Sequence, residues 1–392
     1  GKNKERKVGV VRPFQSIGTA TFPGQSFRFS PTYDKEHALE RFIVTADDAV
    51  LSYDPIKDPN KKDMKPPELT PEDRRLYDMA QLNFAFEKDY LIKTGRQWLS
   101  TFPRPPPMHY MWNADYFSQR HIITTKETHF TSIPKTMKEL TYRDYRTNSN
   151  GAGYNPSYPT HRKQEPDGVY NLTLKVSSCS PRVFEIRNFL SSKEADHLVD
   201  LAQTKKMLAS TTNSGPDLNG EEDSNIRSST NTWIYRETDA VVDAIYRRAA
   251  DVLRVDEALL RHRDAHEHTE LKTDHSIAEA LQLVHYGQDQ EYTAHHDFHY
   301  GKITDRFQPS RFATLLLYLN GEESGLEGGD SVFPRAVTAD SHAGVSVIPQ
   351  KGKAVLFYNM LPDGNVDDLS QHAGGSVVKG EKWLANLWVW DP

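Results

Sequence analysis

The stretch Tyr292-Thr-Ala-His295-His-Asp297 decides how this chain is read. His295 and Asp297 stand two residues apart, so on an extended strand both side chains project from one face. Far downstream, Ser370-Gln-His372-Ala-Gly-Gly supplies a second histidine, and Gly380-Glu-Lys382-Trp383 follows with a lysine ten residues beyond it. Two neutral imidazoles and one carboxylate form the donor set of a mononuclear non-haem iron(II) centre that keeps three coordination positions open. A lysine near such a centre is a fixed cation for the far carboxylate of a dicarboxylate cosubstrate. The pattern predicts an oxygenase.

An isolated His-X-Asp is a short pattern and is met often as surface histidine in a polar run. Strand parity separates the candidates here. His296 points to the opposite face from His295 and Asp297, while His299 is in phase but lies outside the pair.

Bulk properties narrow the alternatives. At 392 residues the chain is long enough for one large or two modest domains. It is 37% hydrophobic and 26% charged, a globular balance, and contains no apolar run of the roughly 18 residues a membrane span needs. The formal net charge is −6 and the only basic cluster is the short one at Lys2–Lys7. Nucleic acid is therefore excluded as a main partner, because phosphate contacts need clustered Lys and Arg. Cys179 is the single cysteine, which rules out an intramolecular disulfide and any thiolate metal site. The first residue is Gly1 and not methionine, so removal of a signal peptide or membrane anchor is one expectation and simple trimming is another.

The chain divides into three stretches. Residues 1–150 form an N-terminal region of unknown role. Within it, Thr70-Pro-Glu-Asp73 opens a helix in which Leu76, Met79, Ala80, Phe84 and Tyr90 recur at helical spacing before Gly95. Residues 151–175, rich in Asn, Gly, Pro and Ser, read as a linker or wrapping loop. Residues 176–392 form the domain that carries the chemistry. There Ser191-Ser-Lys-Glu194 is a capping box, and Asp239 to Leu253 reads as a second amphipathic helix. Short apolar runs at 281–286, 312–319, 345–348, 354–358 and 383–390 then suit an antiparallel double-layer barrel with helices on one side, an α+β fold.

From about Ser180 onward the chain resembles the prolyl 4-hydroxylase family of 2-oxoglutarate- and iron(II)-dependent dioxygenases. The resemblance rests on blocks in family order: Pro181-Arg-Val-Phe, Asn188-Phe-Leu-Ser191, Ile226-Arg-Ser-Ser229, Leu281-Gln-Leu-Val-His-Tyr286 and Arg311-Phe-Ala-Thr-Leu-Leu-Leu-Tyr-Leu319. Gly328-Gly-Asp-Ser-Val-Phe-Pro334, Gly352-Lys-Ala-Val-Leu-Phe357 and Lys382-Trp-Leu-Ala-Asn-Leu-Trp388 continue it. The resemblance implies a double-stranded β-helix core, of jelly-roll or cupin type, with supporting helices and an unassigned N-terminal region.

By the same resemblance His295, Asp297 and His372 are expected to ligate Fe(II), and Lys382 to pair with the distal carboxylate of 2-oxoglutarate. Tyr286 and Ser331 match positions whose hydroxyls line the cosubstrate pocket, with serine replacing the usual threonine. Tyr292, Arg311 and Trp388 match residues that touch the peptide in plant-type enzymes. For Tyr286 and Trp388 the competing reading is ordinary core packing. Lysine at position 382 favours the collagen and plant-type branch, since lysyl hydroxylases and oxygen-sensing prolyl hydroxylases use arginine. Trp390 stands where that branch usually has histidine, and the loop Thr212–Asp223 is unusually acidic; both bear on peptide choice.

The activity so implied is hydroxylation of proline at C4 in proline-rich or collagen-like peptides. It consumes O2 and 2-oxoglutarate, with L-ascorbate as reductant, in the endoplasmic reticulum or secretory pathway lumen. Two other readings stand beside it: a related dioxygenase with a different substrate, and an inactive scaffold working through its N-terminal region.

Overall fold

The structure is a computed structural model that describes residues 7–11, 13–14, 23–45, 51–57, 68–100, 104–134, 168–210, 227–264, 266–271, 273–298, 310–337 and 344–391. These fall into two compact units, one within residues 1–105 with 299–308, the other within 106–298 and 309–392.

The first unit contains a hairpin of β1 (Ser26–Phe29) and β2 (Glu40–Ile43) and a long helix, α1 (Pro71–Thr94). The Thr70 hydroxyl accepts from the Asp73 amide at 3.1 Å, and Gly95 closes the helix in the left-handed conformation at φ 69°. Met79 and Tyr90 are buried as their spacing predicts, but Phe84 is 47% exposed. Five residues past Met79, it is turned roughly 140° away from that side chain. Phe86 takes the packing role instead, edge-on to Trp98 at 4.9 Å.

The second unit begins with β3 (Arg120–Lys126), β4 (Val169–Cys179), β5 (Arg182–Ile186), helix α2 (Ser192–Thr204), β6 (Leu208–Ala209), β7 (Thr230–Ile234) and helix α3 (Ala240–Leu253). It continues through β8 (Leu281–Tyr286), β9 (Tyr292–His295), β10 (Ser310–Tyr318), β11 (Glu327–Gly328), β12 (Ser331–Phe333) and β13 (Val345–Val347). The last strands are β14 (Ala354–Tyr358), β15 (His372–Gly374), β16 (Val377–Lys379) and β17 (Lys382–Asp391).

Nine strands form the major sheet in the order β3-β4-β5-β14-β10-β17-β8-β7-β6, and four form the minor sheet in the order β13-β12-β15-β9. One core joins them: Val183, Val284, Leu316, Val355, Phe357 and Leu384 of the major sheet pack with Phe333 and Val347 of the minor. This is the expected α+β double-stranded β-helix. The apolar runs singled out in the sequence become β8, β10, β13, β14 and β17.

Both helices are capped at their N-termini, α2 by the predicted capping box. In α2, the Glu194 amide donates to Ser191 Oγ at 3.1 Å and the Ser191 amide donates to Glu194 Oε2 at 3.0 Å. In α3, Asp239 caps the amides of Val241 and Val242. The Glu194 carboxylate also pairs with Arg248 of α3 at 2.8 Å, both side chains being almost fully buried.

The boundaries differ from those expected. The 151–175 linker is overtaken from Val169 onward by β4, whose Tyr170, Leu172, Leu174 and Val176 alternate inward. Its partner β3 comes from the region set apart as residues 1–150 and extends the major sheet in register from Arg120↔Lys175 to Lys126↔Val169. The compact division falls between Pro105 and Pro106, not at 150. The cause is hydrogen-bonding demand: a long strand with one buried face pairs its free edge wherever a partner segment is in reach. Among the described residues no helix is long and apolar enough to cross a membrane.

Candidate active site

Antiparallel pairing of β9 with β15 makes His295 and His372 direct cross-strand partners, their ring centroids 4.3 Å apart. Asp297 lies just past the end of β9. His295 Nδ1 is 2.8 Å from the Thr293 carbonyl and His372 Nδ1 is 3.1 Å from that of Ser370. A carbonyl oxygen only accepts, so each Nδ1 carries a proton, and Nε2 is the ring nitrogen left to meet a metal. Those Nε2 atoms stand 3.8 and 3.7 Å from the two Asp297 oxygens. One donor atom from each side chain falls within a 4.8 Å span. Burial, reinforced by His372, pushes the His295 imidazole down to about 3, into its neutral ligand form. Burial alone would raise the Asp297 carboxyl, but His372, His295 and Arg311 hold it at about 2.

A hydroxyl and an amide fix that carboxylate. Thr314 donates to Asp297 Oδ2 at 2.7 Å, and Asn359 Nδ2 donates to Thr314 Oγ1 at 2.9 Å. Both residues are fully buried. A bulge in β10 against β17, between Arg311 and Ala313, explains how Arg311 and Thr314 both reach the Asp297 side although three residues apart. Trp388, the cross-strand partner of Thr314, brings its indole N–H close enough to Asp297 to lower the carboxyl further, without the geometry of a full hydrogen bond.

Lys382 opens β17 opposite Tyr286 of β8, and it is 1% exposed. It makes no ion pair with any described carboxylate, and burial brings its ammonium down to about 8. Its Nζ lies 5.5 Å from the Tyr286 ring and 5.8 Å from that of Tyr318. Tyr318 donates to Ser331 Oγ at 2.7 Å. The Tyr286 hydroxyl, raised in pKa by burial, lies beside Arg227 and Ser229. A buried cation between two tyrosine rings, with Asp330 acting on it only from beyond ion-pair distance, suits an anion.

Against the triad, Tyr292 stacks on His295 at 3.5 Å between centroids, with the Arg227 guanidinium 4.6 Å above its ring. Arg311 is clasped by both Glu279 oxygens at 2.6 and 2.9 Å, donates to the Asp297 carbonyl at 3.2 Å, and lies 4.1 Å over the Trp388 ring. Trp390 donates to the same Glu279 at 2.8 Å. In place of a substrate-facing histidine, the chain thus has an indole tied back to the carboxylate that holds Arg311.

The structure thus brings His295, Asp297 and His372 together, sets Tyr292, Arg311 and Trp388 against them, and places Tyr286 opposite Lys382, with Ser331 bonded to Tyr318. Sequence reading missed Thr314, Asn359, Tyr318, Arg227 and Glu279. Parity offered a signal for two of them, since Thr314, Leu316 and Tyr318 share one face of β10. His299 and the loop Thr212–Asp223 lie outside the described residues.

Residues 281–390 match the 2OG-Fe(II) oxygenase superfamily. Probable prolyl 4-hydroxylase 8 of Arabidopsis thaliana is 32% identical over 238 residues, spanning 57% of this chain and 73% of that protein. The chain belongs to the prolyl 4-hydroxylase family. Prolyl 4-hydroxylase 5 of Arabidopsis thaliana is likewise 32% identical over 236 residues, covering 57% of this chain and 73% of the relative. Among solved structures, the viral collagen prolyl hydroxylase of Paramecium Bursaria Chlorella virus-1 aligns at 24% identity over 54% of this chain and 96% of that one, with a TM-score of 0.39.

A prolyl 4-hydroxylase family member uses Fe(II), 2-oxoglutarate and O2, with ascorbate typical of the group. The donor set fits these needs. Two imidazoles whose Nε2 atoms face one carboxylate suit Fe(II), and a buried ammonium with no ion pair among the described residues suits a dicarboxylate.

Proposed function

We propose that this dioxygenase hydroxylates proline at C4 in proline-rich or collagen-like peptides, with His295, Asp297 and His372 as the iron ligands. The observation that carries the reading is Lys382, a buried ammonium that makes no ion pair among the described residues, in the same barrel as the triad. Bound there, iron with 2-oxoglutarate supplies oxidative decarboxylation to succinate and carbon dioxide and the oxidising power for C–H hydroxylation.

The chain's own residues perform the rest. Thr314 and Asn359 orient the Asp297 carboxylate, and the Thr293 and Ser370 carbonyls hold both imidazoles in the ligating tautomer. Lys382 anchors the distal carboxylate of 2-oxoglutarate, and Tyr286, Tyr318 and Ser331 are the hydroxyls around it. Val284, Leu316, Phe357 and Leu384 keep that end of the barrel dry, which strengthens the charge pairing. Arg311 offers donors for the carbonyls of an extended peptide, while Tyr292 and Trp388 offer flat faces for prolyl rings. The endoplasmic reticulum or secretory lumen is the proposed compartment, where such peptides are made.

The test is succinate release with Fe(II), 2-oxoglutarate and ascorbate, with and without a polyproline peptide, beside His295→Ala. Peptide-stimulated turnover abolished in the variant, with a mass gain of one oxygen on proline, is the expected result. Turnover without peptide stimulation would move the substrate elsewhere, and none at all would favour the scaffold.

A further inference from the structure

A second group of two imidazoles and a carboxylate stands on the surface of the same unit, in the segment that connects α3 to β8. His262, Asp274 and His275 bring one donor atom each within 4.8 Å of the others. Asp274 Oδ2 is 3.6 Å from His262 Nε2 and Asp274 Oδ1 is 3.6 Å from His275 Nδ1, with the imidazole centroids 5.7 Å apart. We propose that this cluster is a site for a divalent transition-metal ion of the zinc class, separate from the catalytic centre.

Three observations support a site over a chance grouping. First, the scaffold is rigid where it matters. Arg263, adjoining His262, is 2% exposed; its amide donates to the Asp274 carbonyl at 2.8 Å and its guanidinium to the Thr273 carbonyl at 2.6 Å. The neck of the loop is thereby closed without any ion, so little ordering is left for binding to require. Second, the cation one residue before His262 is already compensated: Arg261 makes a bidentate pair with Glu267 at 2.8 and 3.0 Å. It therefore repels an incoming ion little. Third, the donors are accessible, their side chains 66%, 52% and 77% exposed for His262, Asp274 and His275. An ion enters without desolvating a buried charge, and water completes its shell. Imidazole with carboxylate selects zinc, copper or nickel over calcium or magnesium.

Asp274 sits between both imidazoles in sequence and in space, and the ion would cross-link residues 262 and 275 around the loop they bracket. That staples the segment leading into β8, the strand that ends in Tyr286. The role is a clamp on the loop, with no part in turnover.

The test counts ions on the full chain. Wild type saturated with Zn(II) and passed through gel filtration should retain two equivalents by elemental analysis, one at each cluster. His262→Ala with His275→Ala should retain one, and His295→Ala with His372→Ala should also retain one. Loss from the second pair alone concerns the catalytic reading, and loss from the first concerns this one. Zn(II) should also slow hydrogen exchange at the amides of residues 264–273 in the wild type but not in the His262→Ala/His275→Ala variant. A single equivalent in the wild type that disappears in the His295→Ala/His372→Ala variant, leaving Asp274 merely ion-paired to its histidines, would overturn the proposal. So would two equivalents persisting when His262 and His275 are removed.

Discussion

The Thr314 hydroxyl donates to Asp297 Oδ2 over 2.7 Å in a setting from which solvent is excluded. Thr314→Val keeps the shape and removes the donor, leaving one carboxylate oxygen and the Asn359 amide without their partner. Outer-shell losses of this kind weaken metal affinity about 10- to 100-fold. Titration with Fe(II) or Co(II) under anaerobic conditions measures it, and an unchanged affinity would mean that Asp297 needs no orienting bond.

Lys382 makes the ligand-free protein sensitive to alkaline pH. Its folded pKa is about 8, pulled down by burial, while the exposed side chain titrates near 10.4. Between these values the unfolded chain binds more protons, so this residue makes stability rise with pH from about 8 to about 10. Lys382→Met should remove that rise and be no less stable, because an apolar side chain replaces an unpaired buried charge. Urea midpoints across that pH range provide the comparison. The same variant should lose 2-oxoglutarate turnover.

Arg311 joins Glu279 to Trp388 and the Asp297 carbonyl. Lysine cannot reproduce the two parallel bonds to Glu279 or the flat stacking on the indole. Arg311→Lys should lower kcat/KM for a polyproline peptide by about 10- to 100-fold, the equivalent of losing charge-assisted hydrogen bonds of about 1.5–3 kcal/mol. Uncoupled 2-oxoglutarate consumption should fall far less. Equal losses in both assays would place Arg311 in metal-site support and not in peptide binding.

Arg248 and Glu194 bind α3 to the first turn of α2 from within the core. Arg248→Met alone strands a buried carboxylate and should destabilise by about 3–5 kcal/mol. Adding Glu194→Leu should recover part of that, less the lost capping box. Denaturant unfolding of the single and double variants tests the coupling, and simple additivity would deny it.

How much of this was readable beforehand varies with the kind of signal. Helix ends were legible because capping is local: Thr70 and Ser191 each contact an amide three residues away. The metal triad was legible in outline, since His295 and Asp297 stand two residues apart and the third donor lies in a separate block, although β9 ends at His295 and Asp297 lies just beyond it. Thr314, Asn359 and Glu279 were not, because their roles depend on which strands lie side by side, and nothing in a one-dimensional string says that β10 sits between β14 and β17. The Phe312 bulge is subtler still, since strict alternation would have put Arg311 and Thr314 on opposite faces. The β3–β4 pairing escaped notice for a related reason. A strand at the sheet margin needs only one inward-facing row, and in Arg120–Lys126 that row is just Ile123 and Thr125.

His295 lies on β9, a four-residue strand that terminates the minor sheet. Beyond its ladder to β15 it has, among the described residues, the isolated bridge between Arg227 and Tyr292. A short marginal strand opens at a free-energy cost well below that of unfolding the whole domain. The lifetime of an ion held across β9 and β15 is then a property of strand fraying and not of ligand bond strength. Metal exchange should run at a first-order rate that reaches a plateau as chelator is added, the plateau being the opening rate of that edge.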